Sequence, residues 1–537
     1  MLISVGKRAL QQNQSISYLL QCCSSMKELK QIHAQTIVSG CILEEYFSSR
    51  ILSFCAISEH GELDYAYGVF HQLARPPVFA WNAIIRGFSK SKAPIRAISL
   101  YTQMLVAGVS PDNFTFPFVL KACARLLSPR LGEPVHVHVT KNGLELNIFI
   151  QNSLMHMYSS CGDITSARKV FDEMPHRNLV AWNTMVDGYA KCGDVGCARL
   201  LFDRMTERDV VTWSAMIAGY VQSEDYTEAL AIFEKMKVAV VKANEVTMVS
   251  VLCACAHLGA LDQGRRVHAY IEDNQFKMTI QLSTALVDMY AKCGSIEEAI
   301  EAFQAVPPRQ TDVLIWNAII GGFAMHGLSK ESLELFEEML QAKVRPDEIT
   351  YLALLSACAH AGLVEEAWRF FETLKRHGMT PKVEHYACMV DILGRAGHVD
   401  AAYEFINRLP IEPTAPILGA LFNGCKIHGR LDIGELVGKR LIKLEPGHDG
   451  RYIGLSNIYA DANRWNDARK MRAMMEDRGV KKSPGHSCID VNGMLHRFIA
   501  QDKTHPQAGE IYVLLDDLSN QIKLEADVEE QVCSVGW

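Results

Sequence analysis

Side chains able to bind a metal or attack a substrate are present in this chain, but their spacing is wrong for catalysis. The 537 residues include 19 histidines and 16 cysteines. A hydrolytic zinc site needs His or Cys ligands at close spacing and a carboxylate that can move a proton. The one His-x-Glu runs from His60 to Glu62 in a polar turn, and no two cysteines stand three residues apart. No glycine-rich phosphate loop or paired nucleophile and base occurs elsewhere. No catalytic residue, no metal ligand and no cofactor is expected, so the chain reads as a non-enzyme.

The cysteines and some histidines recur at fixed places instead. Cys161, Cys192 and Cys293 each precede a glycine, while Cys123, Cys255 and Cys358 sit in the pattern A-C-A. Both groups are expected to be small buried fillers in a reducing compartment. Gly132/His136 and Gly264/His268 form a G-x-x-x-H element, whose expected role is packing or capping.

That periodicity points to the elements beneath. Four segments align: VFAWNAIIRGF from Val78, LVAWNTMVDGY from Leu179, VVTWSAMIAGY from Val210 and VLIWNAIIGGF from Val313. In the last, Trp316, Ile319, Ile320 and Phe323 fall three and four apart and make one apolar helical stripe. Gly327 breaks it, and Leu333, Phe336, Met339 and Leu340 begin a second. The second helices carry a small residue and an aromatic four places on: Ala66/Phe70, Ala97/Tyr101, Ala167/Phe171, Ala198/Phe202, Ala229/Phe233, Ala299/Phe303 and Ser332/Phe336. The unit is a helical hairpin of about 31 to 35 residues, too small to bury its own stripes, so stacking is required. Units are expected from Asn13, Glu45, Val78, Asn113, Ile148, Leu179, Val210, Glu245, Ile280, Val313, Glu348 and Val383. Hydrophobic residues make up 49% and charged residues 21% of the chain, which argues against disorder. The net charge of -7 argues against a non-specific polyanion binder. No span reads as transmembrane.

The signatures W-N-x-x-I-x-G-(Y/F), M-Y-x-x-C-G-x-x-x-x-A-x-x-x-F from Met157 and L-x-A-C-A from Leu120 and Leu355 resemble plant pentatricopeptide-repeat proteins with alternating long, short and standard units. The resemblance implies an all-α fold, a right-handed superhelical solenoid of helix-turn-helix repeats with a tetratricopeptide-like helical extension. On this reading 1–12 is a short organelle transit segment, 13–413 holds about twelve repeats and 414–482 carries E-type helical motifs. Residues 483–523 resemble the Pro-Gly box and the longer extension, with Cys488 where the family has Trp, and 524–537 is a tail. Some relatives continue into a zinc deaminase, which needs H-x-E and P-C-x-x-C; the tail leaves no room for one.

Members of this family read single-stranded RNA one base per unit. By resemblance the discriminating pair is the fifth residue of a unit with its last. Asn82/Asp112, Asn183/Asp209 and Asn317/Asp347 would read U, and Asn152/Asn178 would read C or U. Ser214/Asn244 would read A, and Thr284/Asp312 would read G. The second residue packs against the base, which points to Phe79, Phe149, Val180, Val211 and Leu314. Units with Pro117, Val249 or Leu352 in fifth place lack a polar reader. The competing role for these Asn, Ser and Asp residues is helix capping.

The resemblance further implies a site-recognition factor for C-to-U editing of organellar transcripts. Its partners would be single-stranded organellar RNA, a deaminase-bearing pentatricopeptide-repeat protein acting in trans and multiple organellar RNA-editing factors, with no membrane. A target like 5′-U-n-Y-U-A-n-G-U-n-n-n-n-n-C follows. Alternatives are an RNA-stabilising or processing factor, or a protein scaffold. A start with Lys7 and Arg8 and no acid before Glu28 leans to the mitochondrion over the chloroplast.

Overall fold

Stripes on paired helices dictate the architecture. A computed structural model describes residues 15–482, 484–491, 494–499 and 503–534. It divides into two compact units of chain, one closing at Thr247 and the other opening at Met248. Each is built from antiparallel helical hairpins. In the first, the stretch from Leu179 is typical: Leu179–Lys191 and Val195–Arg204 form one hairpin, and Val210–Gln222 with Tyr226–Val238 the next. In the second, Val313–Met325 and Ser329–Gln341 precede Glu348–Ala361 and Val364–Arg376. No described helix is long and apolar enough to cross a membrane.

The repeated residues have one task each. The small residue of the second helix is fully buried, as at Ala66, Ala167, Ala198, Ala229, Ala299 and Ser332. Where the following hairpin carries Trp, the aromatic four places on meets it edge-on. Ring centroids lie 4.7 Å apart for Phe70 and Trp81, 4.9 Å for Phe202 and Trp213, and 4.8 Å for Phe303 and Trp316. Each such pair adds about 0.5–1.5 kcal/mol beyond the area it buries. The glycine of W-N-x-x-I-x-G lets neighbouring first helices touch. A Cβ on Gly219 would lie 2.7 Å from the Ala190 Cβ, and one on Gly322 would crowd the Ala291 Cβ.

Cysteines divide by place. Cys123, Cys255 and Cys358 are buried fillers as expected, and burial pushes the Cys123 and Cys358 thiols up to about 12. The C-G cysteines are not fillers: Cys161 and Cys293 are half-buried and Cys192 is exposed. Each is the residue at which its helix ends, and the glycine after it takes φ near +80°, a left-handed cap that only glycine adopts cheaply. The G-x-x-x-H histidines are packing residues, His136 and His268 holding the Tyr158 and Tyr290 hydroxyls at 2.9 Å and 2.8 Å.

Beyond the repeats, Ala415–Ile427, Leu431–Leu444, Asp449–Asp461 and Trp465–Asp477 continue as helical hairpins. Two features depart from expectation. His486–Val491 and Met494–Ile499 pair antiparallel as a small hairpin within an otherwise helical extension. The Asn492-Gly493 between alternating apolar residues is its sequence signal. Ala508–Ser534 is one helix, so the division expected between 523 and 524 falls inside an element. The expected transit segment 1–12 and the start at Asn13 lie outside the described residues.

Replacing Gly219 by Ala is expected to lower the thermal unfolding midpoint, at a cost of about 1–3 kcal/mol from overpacking. Gly68 has open space around its missing Cβ, so Gly68→Ala should instead stabilise its helix by up to about 1 kcal/mol. Circular dichroism melts separate the two; a Gly219→Ala protein as stable as the parent contradicts the close approach.

Candidate nucleic-acid interface

Successive first helices expose one face in each unit of chain, and on it the fifth residue of one hairpin meets the last. The Asn82 amide donates from Nδ2 to Oδ1 of Asp112 at 2.9 Å, and Asn183 to Asp209 at 3.0 Å. Asn317 donates to Asp347 at 2.9 Å and Asn152 to Asn178 at 3.4 Å. The Ser214 hydroxyl lies 3.2 Å from Oδ1 of Asn244. Thr284 and Asp312 are not joined. The Thr284 hydroxyl donates to its own helix at the Ile280 carbonyl, 2.8 Å away. Asp312 caps Leu314 and Ile315 after a short second helix, Ile296–Gln304, and the turn that follows it.

The last residue is therefore also a helix cap. Oδ1 of Asp209 accepts the Thr212 N–H at 2.9 Å, and that of Asp347 the Thr350 N–H at 2.9 Å. Asn178 and Asn244 accept from Ala181 and Thr247. Capping and pairing share one oxygen, so they coexist rather than compete. Burial pushes the Asp209 carboxyl up, but hydrogen bonds from the Thr212 N–H and hydroxyl, the Asn183 amide and the Val211 N–H outweigh it. Its pKa stays below the ordinary carboxylate value, so it is ionised at neutral pH.

A third residue completes the arrangement and was not singled out from sequence. The hydroxyls of Thr115, Thr212 and Thr350 lie 2.6–2.7 Å from the Oδ1 of Asn82, Asn183 and Asn317. Thr247 does the same for Ser214, at 2.7 Å. Each threonine is fully buried. It stands three residues after the Asp or Asn, which is the spacing of a capping box, and that was the available signal. With a donor on the amide oxygen and an acceptor on the nitrogen, the Asn orientation is fixed by its partners.

The second residues flank these pairs. Phe79, Val180, Val211 and Leu314 are about half exposed, and Phe149 is 72% exposed. Phe114, Val246 and Ile349 occupy the same place in units lacking a polar fifth residue and are equally open; their shared register with Phe79 is the signal that was passed over. In the second unit of chain, Gln281, Leu314 and Ile349 line an open groove of about 420 Å³ whose floor holds Thr284 and Asn317. Its lining combines apolar side chains with the hydrogen-bonding groups of Thr284 and Asn317. Among the described residues no cluster of His, Cys, Asp and Glu could hold a metal ion.

Models of the PPR repeat family match residues 76–125, 208–257 and 311–360, and the PPR repeat model matches 152–179, 180–210, 283–305 and 349–379. A pentatricopeptide repeat-containing protein of Arabidopsis thaliana is 60% identical over 516 residues, covering 96% of this chain and 97% of that one. The chain belongs to the pentatricopeptide-repeat family. The E motif matches 428–490 and the E+ motif 495–522, so the small strand hairpin spans the junction of the two. A mitochondrial relative from the same plant is 37% identical, covering 95% of this chain and 90% of its own length, and a chloroplastic one is 36% identical, covering 93% and 81%. Among solved structures, the pentatricopeptide repeat protein PPR10 in complex with an 18-nt psaJ RNA element is similar at a TM-score of 0.44 and 16% identity, over 90% of this chain and 85% of that one.

Thr212→Val removes the hydroxyl that accepts the Asp209 N–H and donates into the pair. The expected loss of stability is about 1–3 kcal/mol, since a buried partner is left unmade. Thr212→Ser should restore most of it in a denaturant titration; equal stability of Thr212→Val and the parent argues against the network.

Proposed function

We propose that this chain binds single-stranded RNA sequence-specifically and acts as a site-recognition factor for organellar C-to-U editing. The observation that carries this is the side-chain geometry of the fifth and last residues between exposed apolar neighbours. A cap occupies Oδ1 of the last residue, so the second atom of its head group is the one available to a ligand. At Asp112, Asp209 and Asp347 that atom is an acceptor, Oδ2, suited to the N3–H of U. At Asn178 and Asn244 it is an amide donor, suited to N3 of C or N1 of A. Ser214 is shorter than Asn and leaves room for a purine. Leu314 and Ile349 then serve as the walls between which an unpaired base is held.

The same logic assigns U to Asn82/Asp112, Asn183/Asp209 and Asn317/Asp347, a pyrimidine to Asn152/Asn178, A to Ser214/Asn244 and G to Thr284/Asp312. Phe79, Phe149, Val180, Val211 and Leu314 pack against those bases. The E and E+ segments support the editing role: they would present a deaminase, held by another protein of the family, to a cytidine beside the bound stretch. Multiple organellar editing factors would complete the complex. A mitochondrial site of action is proposed, with the chloroplast as the alternative.

Binding of the full chain to 5′-U-n-Y-U-A-n-G-U-n-n-n-n-n-C is compared with binding to the same RNA with A and G exchanged. Each mismatch should weaken binding by about 1 kcal/mol or more through unmade hydrogen bonds. Equal affinities would sink the assignment. In plants lacking the protein, loss of individual C-to-U events is expected; intact editing with shortened transcript ends would point to RNA processing.

A further inference from the structure

Backbone phosphates need cations, and the net charge of -7 makes their placement informative. In a first helix, the ninth and thirteenth residues follow the fifth at one-turn spacing and continue its face. In two successive first helices, Val78–Lys90 and Thr115–Arg125, those places hold Arg86, Lys90, Lys121 and Arg125. The only acid at the fifth, ninth, thirteenth or last places of these two hairpins is Asp112. From Leu179 onward every Lys or Arg at the ninth or thirteenth place is neutralised by an aspartate one turn before it. Lys191 meets Asp187 at 2.6 Å, Lys292 meets Asp288 at 2.8 Å and Arg395 meets Asp391 at 2.7 Å.

The geometry of the first group suits a phosphate. The Arg86 guanidinium lies over the Phe118 ring, 5.5 Å from its centroid, and its buried Nε has no partner among the described residues. The aromatic surface holds the fork in place without using its donors. Arg125 is fixed by donating from Nη1 to the Ser89 and Ser91 carbonyls, at 2.7 Å and 2.6 Å, which leaves its charge uncompensated. The Lys121 side chain is exposed, and its field reaches the next hairpin. His156, at the ninth place there, is held below its ordinary pKa by desolvation and then by Lys191 and Lys121, with Asp187 opposing.

We infer that Arg86, Lys90, Lys121 and Arg125 form a phosphate-gripping platform, so that the electrostatic share of RNA binding is concentrated at the two hairpins that begin at Val78 and Asn113. Later hairpins contribute base contacts with their cations cancelled. The inference rests on the RNA-binding reading above and adds to it where the backbone is held.

The test is the salt dependence of affinity for the oligonucleotide described above, measured by fluorescence anisotropy on the full chain. Removing two phosphate contacts with Arg86→Gln/Lys121→Gln should flatten the slope of log K against log salt by about 1.4, at about 0.7 per contact to a single strand. The exposed single change Lys121→Gln, which leaves the half-buried Arg86 intact, should give about half of that. Arg86→Lys, which keeps the charge, should leave the slope near the parent value. Asp187→Asn/Lys191→Gln, which removes a neutral pair together, should leave it unchanged. An unchanged slope in Arg86→Gln/Lys121→Gln, or an equal flattening in Asp187→Asn/Lys191→Gln, overturns the platform while leaving RNA reading intact. Failure of the parent to bind any RNA overturns both. Binding of a polyglutamate peptide as tightly as RNA overturns the platform in favour of an acidic protein segment.

Discussion

One oxygen atom does two things in the repeats that carry a joined polar pair, and the recognition face depends on it. Oδ1 of the last residue caps the start of the following first helix and also holds the fifth residue of its own hairpin. A cap of this kind contributes about 1 kcal/mol to the helix it begins. Because the same atom orients the reader, folding of one hairpin sets the recognition chemistry of the one before it. The buried threonine three places on closes the triangle, and the head group's remaining atom is left for a ligand. A hydrogen-bonding site preorganised in this way loses little freedom on binding and rejects a base that leaves it unpaired.

Stacking supplies the frame on which those triangles repeat. Glycines such as Gly219 bring first helices together, and the Trp–Phe contacts such as Phe202 with Trp213 lock the Trp-bearing hairpins to the ones before them. Where the pattern changes, local geometry follows. Ser283 stands where other units have Trp, the second helix Ile296–Gln304 is short, and Thr284 turns its hydroxyl to the Ile280 carbonyl instead of to Asp312. A ligand drawn to that position would meet a reader held by its own helix rather than by the last residue of its hairpin.

Much of this was legible in the residues, because stripes at three and four places and repeated small–aromatic pairs are direct images of helix packing. The Asn, Ser and Asp partners were legible too, but only as pairs. The threonines Thr115, Thr212 and Thr350 read as ordinary helix-start residues until their depth is known. Burial decides their role, and burial is a property of the stack rather than of the hairpin. Cys192 shows the opposite failure: a repeated cysteine suggests a filler, yet its place beside a left-handed glycine puts it at the exposed end of a helix. The strand pair at His486–Val491 was missed because a helical extension was carried over from resemblance, against the local alternation and Asn-Gly signal.

If the pairs are what discriminate bases, exchanging one pair for another must exchange the base. The double variant Ser214→Asn/Asn244→Asp gives that hairpin the same pair as Asn183/Asp209, with Thr247 still in place to orient it. Affinities for RNAs carrying A or U opposite this hairpin should invert, from A favoured in the parent to U favoured in the variant. An unaltered preference for A, in a variant as stable as the parent, would contradict the account.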